Sequence, residues 1–413
     1  MERELEIKKL ADFCVSCVTK PCQLGCPLNN DTTGFIKAVK NDDYEKAFKI
    51  LSNTTVMPAI CGKICPHEKQ CQGSCVKRVS YEAVKIGDIE SFIGDLAIEN
   101  NWKFLKKDKK NKKILVVGSG PAGLTCAAFL AKEGYQITLY EKHDYLGGLL
   151  YHGIPAFRLN KDLVKKAIDK ILDLGIEVHT NMALGKDFSL DEIKDKYDAI
   201  FLGIGANVSK MMEIPGEDLT GVYGGNELLE KAIYPDYTDK KVFVVGGGNV
   251  AMDVARTVKR LGAKEVTILY RRDKEDMPAE EVEIKETVLD DVKFLYKTKL
   301  VKILGQDKVQ KIECINTKLN DEEKYVDVDG SNFVLDADYV MMAIGSKADD
   351  DVLDSLSLER KEDGYLSTND NYQTSDEKIF AAGDLTGTKS TVAWACRKGR
   401  DAAYSIMEYL ENK

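Results

Sequence analysis

Apolar residues follow two different spacings along the chain. In residues 30–60 and 80–102 they recur every three or four positions, as on one face of an amphipathic helix. Further on, short apolar runs of strand length precede glycine turns and then a helical pattern. The chain is therefore predicted to begin with a small α-helical domain and to continue as an α/β protein.

Two strand–turn–helix–strand segments form an internal repeat. Residues 113–142 and 240–272 each have the pattern of a βαβ unit. A repeat of this kind predicts two Rossmann-like dinucleotide-binding domains. The lysine-rich segment 103–113 has no apolar period and is interpreted as a solvated linker between the helical domain and the first repeat.

The first repeat has a dinucleotide-binding turn. Gly118-x-Gly120-x-x-Gly123 follows an apolar strand and begins a helix, so a pyrophosphate can approach the backbone at the helix N-terminus. Glu141 ends the next strand, where its carboxylate can accept hydrogen bonds from an adenosine ribose. Together these features predict a dinucleotide site.

The second repeat has a related turn but a different charge. Gly246-x-Gly248-x-x-Ala251 follows its first strand, and Arg271 stands where the first repeat has its acidic residue, with Arg272 next to it. Two guanidinium groups can pair with a 2′-phosphate, which a carboxylate would repel. We therefore expect NADPH rather than NADH at this site. The alternative is that both arginines are merely exposed at a strand end.

Eight of the eleven cysteines lie in the first hundred residues. They form two quartets, Cys14, Cys17, Cys22 and Cys26, then Cys61, Cys65, Cys71 and Cys75. The first quartet ends in Cys-Pro and resembles the bacterial ferredoxin run, in which the fourth cysteine ligates the other cluster. Cys14, Cys17 and Cys22 are thus predicted to hold one 4Fe-4S cluster, while Cys26 crosses to a second. Zinc is the alternative, although structural zinc sites prefer two Cys-x2-Cys pairs.

Composition and charge exclude several classes of function. The formal net charge is -9, with 59 basic and 68 acidic residues, which argues against nucleic acid and anionic membrane as partners. The N-terminus has no signal-peptide core, and no apolar run has membrane-spanning length, so a cytoplasmic protein is expected. No acid–base or metal motif involves the four histidines, so no catalytic side chain is predicted.

The two repeats and the segment IFAAGD, which ends at Asp384, resemble the flavoprotein superfamily that binds two dinucleotides. The resemblance implies FAD on the first repeat, the nicotinamide cofactor on the second, and Asp384 at the flavin ribitol. A helix from about residue 391 would direct its N-terminus at the flavin. Cys126, Cys314 and Cys396 are widely separated in sequence, so the cysteine-rich domain is the expected exit for electrons.

A more specific resemblance covers nearly the whole chain. The cysteine spacing and the segments PAICGKICPHEKQCQGSC, GGLLYHGIPAFRL and TSDEKIFAAGDLTG resemble one family. This family comprises the glutamate synthase small chain, the N-terminal part of dihydropyrimidine dehydrogenase, its separate bacterial electron-input subunit, and the large subunit of NADH-dependent ferredoxin:NADP oxidoreductase. The resemblance implies a cluster domain over 1–108, an FAD domain over 109–212 and 345–413, and an NAD(P)H domain over 213–344.

The same resemblance implies an interleaved set of cluster ligands. Cys75 would complete the cluster of Cys14, Cys17 and Cys22, while Cys26, Cys65 and Cys71 would hold the other, leaving Cys61 without a ligand role. Family members supply the missing ligand from the following helix, where Glu90 lies on the apolar side. The alternative is an edge glutamate that reaches solvent or a lysine.

Two further positions, Gly148 and Arg158, resemble family residues around FAD. A glycine turn and a surface arginine would explain them equally well.

The expected function is that of an electron-input oxidoreductase subunit. NADPH would reduce FAD, and the electrons would pass through two 4Fe-4S clusters to a larger catalytic subunit or a ferredoxin-type acceptor in a hetero-oligomer. A glutamate synthase large chain is the first choice of partner, followed by dihydropyrimidine dehydrogenase and a ferredoxin-linked pair. A non-catalytic redox sensor or cluster-carrying scaffold is the alternative of another class.

Overall fold

A computed structural model describes residues 2–232, 234–387 and 391–413, which fall into two compact units. The first unit is Met1–Tyr151, Ala156–Gly205 and Ala348–Lys413, and the second is His152–Pro155 and Ala206–Lys347. Each unit contains a parallel sheet, which confirms the predicted α/β class. The predicted division into three domains stays a prediction.

The N-terminal segment of the first unit is helical, as the apolar spacing predicts. Its helices are α1 (Glu2–Asp12), α2 (Pro21–Leu24), α3 (Thr32–Lys40), α4 (Tyr44–Leu51), α5 (Pro58–Ile64) and α6 (Ile86–Glu99), with 3-10 turns at His67–Lys69 and Val76–Val79. Asp31 and Asp43 cap α3 and α4 by accepting hydrogen bonds from the backbone N–H of Gly34 and Lys46. Capping residues thus divide the apolar stretch 30–60 into three helices.

Two glycines let α5 lie directly on α6. A Cβ on Gly94 would be 2.1 Å from Ala59 N, and one on Gly62 would be 2.3 Å from Ser91 N. Only glycine permits this approach of two helix backbones. The crossing brings the cysteines at the end of α5 beside the buried face of α6.

Most of the segment 103–112 is exposed, as its composition predicts, but hydrogen bonds and one buried side chain also bind it along the first unit. Phe104 is buried, Lys107 N donates to Lys132 O at 2.8 Å, and Lys110 N donates to Gly134 O at 2.8 Å. Side chains of this segment also form ion pairs, for example between Lys107 and Glu133 at 2.6 Å. The lysines pair with acceptors that are distant in sequence, so a charge count cannot reveal the contact.

The first repeat forms the sheet of the first unit. Its elements are β1 (Lys113–Val117), α7 (Pro121–Lys132), β2 (Gln136–Tyr140), α8 (Lys161–Leu172), β3 (Glu177–His179), α9 (Leu190–Ile193) and β4 (Ala199–Leu202), with a π-helical turn at Leu149–Gly153 and a 3-10 turn at Lys194–Lys196. The strands are parallel, and β1 lies between β2 and β4.

The second repeat forms the sheet of the second unit. Its elements are β5 (Val208–Ser209), β6 (Val222–Gly224), α10 (Gly225–Lys231), β7 (Lys241–Val245), α11 (Asn249–Arg260), β8 (Glu265–Leu269), α12 (Glu281–Leu289), β9 (Lys293–Leu295), β10 (Thr298–Gly305), β11 (Val309–Leu319), β12 (Tyr325–Asp327), β13 (Phe333–Asp336), β14 (Tyr339–Met342) and β15 (Ser346–Lys347). The parallel sheet has the order β6-β14-β7-β8-β9. Strands β10 to β13 form a separate antiparallel sheet, and β15 pairs with β5.

The chain then returns to the first unit with α13 (Asp350–Asp354), β16 (Ile379–Ala381), a 3-10 turn at Gly383–Thr386, and α14 (Val392–Glu411). Strand β16 pairs with β4, so the first sheet has the order β16-β4-β1-β2-β3. The two five-stranded sheets share one strand arrangement, which confirms the internal repeat. Within the described residues, no helix combines the length and the apolarity needed to cross a membrane.

Helices α7 and α14 cross with their backbones in close contact at Gly399, and this contact leads to a stability prediction. A Cβ on Gly399 would lie 2.1 Å from Ala122 O, so Gly399→Ala should lower the free energy of unfolding by about 2 kcal/mol, although alanine favours helices. Thermal denaturation of the cofactor-loaded protein measures the effect. Ser405→Ala on the same helix is the control, expected to stay within about 0.5 kcal/mol. A Gly399→Ala protein as stable as the native one would contradict the crossing.

Candidate functional site

The three glycines of the first turn each have a distinct geometric role. Gly118 has φ +94°, and a Cβ there would lie 2.6 Å from Gly203 O. A Cβ on Gly123 would lie 1.9 Å from Gly118 O, so this glycine lets α7 approach β1. Gly120 directly precedes α7. A Cβ on Gly120 would have only one atom within 4 Å, Gly203 O at 3.9 Å. The N-terminus of α7 is therefore accessible to a pyrophosphate.

Glu141 forms hydrogen bonds with the glycine turn of the first repeat. The buried carboxylate accepts from Ser119 N at 2.9 Å, from Ser119 Oγ at 2.5 Å and from His143 N at 3.0 Å. Its position after β2 is the one at which a carboxylate can meet the ribose of a bound dinucleotide. The structure thus brings Glu141 and the glycine turn together.

Two other predicted residues, Gly148 and Asp384, lie at the same edge of the first sheet but on different loops. Gly148 has φ +51°, and its Cβ position lies 2.8 Å from Gly120 Cα, so this loop contacts the turn closely. Gly383, next to Asp384, has φ +82° and a Cβ position 3.1 Å from Ala122 Cβ at the start of α7. Arg158 is partly buried.

Asp384 lies between β16 and α14. Burial raises the pKa of Asp384 to about 6, and Lys398 opposes this rise. Helix α14 begins at Val392, and the side chain of Thr391 accepts from Trp394 N at 3.3 Å. Asp384 and the glycine turn thus lie where parallel strands end, the edge at which α/β sheets bind ligands. The open backbone at Gly120 and the buried carboxylates fit a flavin dinucleotide.

The second turn repeats the pattern in the second unit. Gly246 has φ +143°, and its Cβ position lies 2.2 Å from Ala343 O, whereas no atom lies within 4 Å of a Cβ on Gly248. Ala251 is fully buried in the place of the third glycine. Asn249 Nδ2 donates to Glu280 Oε1 at 3.0 Å, which fixes the start of α11. The accessible helix N-terminus again fits a pyrophosphate.

Arg271 and Arg272 follow β8, and both are exposed. Their backbone is fixed, since Thr317 Oγ1 donates to Arg271 O at 2.6 Å and Lys297 N donates to Arg272 O at 2.9 Å. Burial raises the pKa of Tyr270, and both guanidinium groups oppose the rise, so their charges lie near its hydroxyl. A Cβ on Gly247 would lie 2.5 Å from the Tyr270 ring, which places the arginines beside the second turn.

Four cysteines surround one pocket in the helical segment. Its sulfur-bearing lining residues are Cys14, Cys17, Cys22 and Cys75. Burial raises the pKa of Cys22, and the neighbouring Cys14 and Cys75 thiolates add to the rise. This grouping joins three cysteines of the first quartet with the last cysteine of the second.

The remaining predicted ligands form another group. Burial and then the Glu90 carboxylate raise the pKa of Cys26 to about 11. A hydrogen bond with Cys61 lowers the pKa of Cys65, but burial and Glu90 outweigh it and raise the value to about 11. The pKa of Cys71 is raised by burial and by the charges of Glu90 and Cys26. Each of these thiols therefore lies near Glu90.

Glu90 is a buried carboxylate, not an edge residue. It is 5% exposed, and burial raises its pKa to about 8. Asn30 Nδ2 donates to Glu90 Oε1 at 3.2 Å, and Asn30 Oδ1 in turn accepts from Thr54 Oγ1 at 2.6 Å. A buried carboxylate with little compensation is costly unless it binds a cation. Three thiols near one buried carboxylate fit the ligand types of an iron–sulfur cluster.

The spacing of these groups bears on the choice between zinc and a cluster. Within 2–232, 234–387 and 391–413, no three His, Cys, Asp or Glu side chains converge closely enough to hold a single metal ion. Ligands of a zinc ion all meet at one point. Each ligand of a 4Fe-4S cluster binds a different iron, so the four ligands of a cluster need not meet at one point.

Sequence reasoning missed the residues that join the helical segment to α14. Arg400 is buried and donates to Leu28 O at 2.7 Å and to Thr54 O at 3.2 Å. Arg397 donates to Pro27 O at 3.2 Å. These residues are more than 300 positions apart, and no local pattern signals the contact. They fix the backbone just after Cys26 against the helix that follows Asp384.

Two family models match the chain. The model described as pyridine nucleotide-disulphide oxidoreductase matches residues 112–399, and the model described as dihydropyrimidine dehydrogenase domain II, 4Fe-4S cluster, matches residues 1–102. The Glutamate synthase [NADPH] small chain of Escherichia coli is 33% identical over 435 residues, covering 99% of this chain and 92% of that protein.

Other relatives extend the comparison. The NADPH-Fe(3+) oxidoreductase subunit beta of Geobacter sulfurreducens is 36% identical over 80% of this chain and 51% of that protein. Among solved structures, Mycobacterium tuberculosis FprA in complex with NADPH has a TM-score of 0.65 and 19% identity, covering 73% of this chain and 85% of that chain, which shows a shared fold.

The matches confirm the family that the motifs indicate, and the sites described above fit its cofactors. The chain belongs to the pyridine nucleotide-disulphide oxidoreductase family, as an NADPH-dependent flavin oxidoreductase with a 4Fe-4S segment and with glutamate synthase small chains among its relatives.

Proposed function

We propose that this chain is the electron-input subunit of a glutamate synthase, in which NADPH reduces FAD and the electrons pass through two 4Fe-4S clusters to the large chain. The observation that carries the proposal is the similarity to the Escherichia coli small chain over 99% of this chain, cluster segment included. The second candidate is the NAD(P)H-oxidising subunit of dihydropyrimidine dehydrogenase, which the family model for residues 1–102 favours. A subunit of NADH-dependent ferredoxin:NADP oxidoreductase ranks third.

In this proposal the first unit binds and orients FAD. Gly118, Gly120 and Gly123 admit the pyrophosphate, Glu141 accepts from the ribose, and Asp384 contacts the ribitol. Gly148 contacts the same turn, and Arg158 is assigned to the FAD site by family resemblance alone. The N-terminus of α14 supports negative charge on the flavin.

The second unit binds the nicotinamide cofactor. Gly246, Gly248 and Ala251 form the pyrophosphate site, and Arg271 and Arg272 bind the 2′-phosphate. Support comes from the accessible N-terminus of α11 and from the two guanidinium groups beside Tyr270. Paired arginines favour a phosphate over a hydroxyl, hence NADPH over NADH.

The helical segment holds the clusters with interleaved ligands. One set is Cys14, Cys17, Cys22 and Cys75, and the other is Cys26, Cys65, Cys71 and Glu90. The shared pocket of the first set and the proximity of Glu90 to the thiols of the second support this assignment. Cys61 is left outside both sets.

The same proposal implies a cellular location and a quaternary structure. Within the described part of the chain, the eleven cysteines form no disulfide bonds, which is compatible with the reducing cytoplasm that we propose. Relatives carry the names of subunits, such as a glutamate synthase small chain and an oxidoreductase subunit beta, so we infer a hetero-oligomer with a larger catalytic subunit or with a ferredoxin-type acceptor. We propose neither nucleic acid nor a membrane as a partner of this protein.

Anaerobic stopped-flow absorbance tests the function. NADPH should bleach the flavin of the native protein, and Arg271→Ala should weaken NADPH binding about tenfold while leaving NADH binding unchanged, because one charge-assisted hydrogen bond to the 2′-phosphate is lost. The concentration dependence of the bleaching rate gives both dissociation constants.

Lys293→Ala is the matched control for this experiment. It removes a cation from the opposite, amino end of β9, beside Glu265, and should bind both cofactors like the native protein. Failure of NADPH to bleach the flavin would refute the oxidoreductase function. Tighter binding of NADH, with no effect of Arg271→Ala, would refute the NADPH preference alone.

The ligand assignment is tested by iron content and absorbance of anaerobically purified variants. Glu90→Ala should alter or remove one cluster, Cys75→Ala the other, and Cys61→Ala neither. Asp88→Ala on the exposed side of α6 is the control for Glu90 and should retain both clusters. Loss of iron from the Cys61→Ala protein would show that Cys61 is a ligand and that the interleaved assignment is wrong.

A further inference from the structure

The residues directly after Cys26 form a tight turn that lies against α14. Asn29 N donates to Cys26 O at 2.9 Å, which closes the turn over Pro27 and Leu28, and these two residues are buried. The hydrogen bond that closes such a turn uses only the carbonyl of its first residue. The carbonyls of Pro27 and Leu28 therefore need donors from another part of the chain.

Two arginines of α14 provide these donors. Arg397 Nη1 donates to Pro27 O at 3.2 Å, and Arg400 Nη1 donates to Leu28 O at 2.7 Å. Arg400 is 8% exposed, and the same nitrogen also donates to Thr54 O at 3.2 Å. A guanidinium group has five donors in a fixed plane and stays charged, so it can bind several acceptors at once. Each central carbonyl of the turn thus has an arginine of its own.

One carboxylate binds both arginines. Asp401 Oδ1 accepts from Arg400 Nε at 3.1 Å and from Arg400 Nη2 at 3.0 Å, and Asp401 Oδ2 accepts from Arg397 Nε at 3.2 Å. Charge-assisted hydrogen bonds of this kind are stronger than neutral ones and fix the plane of the guanidinium group. We call Arg397, Arg400 and Asp401 the α14 clamp.

The α14 clamp is also connected to Glu90. Thr54, whose carbonyl accepts from Arg400, donates through Oγ1 to Asn30 Oδ1 at 2.6 Å. Asn30 is 2% exposed and donates through Nδ2 to Glu90 Oε1 at 3.2 Å. The clamp therefore fixes the backbone next to Cys26 and, through two further side chains, the carboxylate of Glu90. Both residues belong to the same proposed ligand set.

On its other side, α14 is fixed to the expected flavin site. A Cβ on Gly399, which stands between the two arginines in sequence, would lie 2.1 Å from Ala122 O at the start of α7. The Cβ position of Gly383, next to Asp384, lies 3.1 Å from Ala122 Cβ. Helix α14 thus contacts the residues expected at the flavin and the residues expected at one cluster.

We propose that the α14 clamp positions the cluster of Cys26 and Glu90 for electron transfer from the flavin. The inference rests on the proposed function, in which NADPH supplies a hydride, and thus two electrons, and the flavin passes them on singly. Electron transfer slows steeply as the distance between donor and acceptor increases, so this distance has to be kept constant. The clamp itself gains and loses neither electrons nor protons, and its members are positioning residues.

The test mixes the anaerobic, cofactor-loaded protein with NADPH and follows the two steps separately, the flavin by stopped-flow absorbance and the clusters by freeze-quenched electron paramagnetic resonance. In Arg400→Ala, flavin bleaching and iron content should stay native, whereas cluster reduction should slow about tenfold, because a small displacement of reacting groups is costly. Arg400→Lys keeps the charge but not the planar set of donors, so its cluster reduction should have an intermediate rate.

Hydrogen exchange measured by mass spectrometry gives a second result that requires no electron transfer. In Arg400→Ala, the amides of residues 27–30 should exchange about tenfold faster, because buried carbonyls of the turn then lack their donor. Arg397→Ala leaves the buried contact of Arg400 with Asp401 in place and should give smaller changes in the same direction in both measurements.

Arg360→Ala is the matched control. Arg360 also pairs with two carboxylates of the first unit, Asp350 at 3.3 Å and Asp354 at 2.6 Å, but it lies against α13 and not α14. Its removal should leave the rate of cluster reduction and the exchange of residues 27–30 unchanged. A change as large as that in Arg400→Ala would show that any lost arginine pair has this effect, and would overturn the proposal.

The other outcomes separate this inference from the proposed function. Clusters that stay oxidised in the native protein, although NADPH bleaches its flavin, would refute the proposed function and with it the role of the clamp. Native cluster reduction in Arg400→Ala would overturn the clamp alone. Equal slowing of both steps or loss of iron in that variant would indicate general damage to the fold, and native rates in Arg400→Lys would assign the effect to charge alone; either result would also overturn the clamp.

Discussion

The close crossing of α7 and α14 is the contact on which the first unit depends. A Cβ at Gly399 would lie 2.1 Å from Ala122 O, so only glycine lets the two helices meet. Helix α7 carries the pyrophosphate turn at its start, and α14 carries Cys396 and Arg400. Because Arg400 also binds the carbonyls of Leu28 and Thr54, the same crossing determines where the cluster segment lies relative to the flavin site.

The second constraint is the burial of ionisable groups near the expected clusters. Burial raises the pKa of Glu90 to about 8 and that of Cys26 to about 11. Burial therefore favours the protonated form of both groups. In the proposed assignment a cluster would bind their deprotonated forms, so cluster binding and folding of this segment would be coupled.

The sequence alone predicts the parts of the molecule that depend on local pattern. The glycine turns, the acidic and basic residues after the strands, and the helical segment all follow from short-range spacing, and the structure has them. The hydrogen bonds of Arg400 with the carbonyls of Leu28 and Thr54 join distant positions, and the lysines at 103–112 pair with acceptors that composition cannot reveal. Such contacts depend on tertiary packing, which no local signal encodes.

In the proposed assignment, the N-terminal segment holds two clusters with interleaved ligands, one of them a carboxylate. Mössbauer spectroscopy of 57Fe-enriched protein, combined with flavin analysis, tests it most directly. The account predicts about eight iron atoms per FAD, all in 4Fe-4S clusters, with one iron site distinguished by its oxygen ligand. Zinc in place of iron, or about four iron atoms per FAD with uniform thiolate coordination, would contradict it.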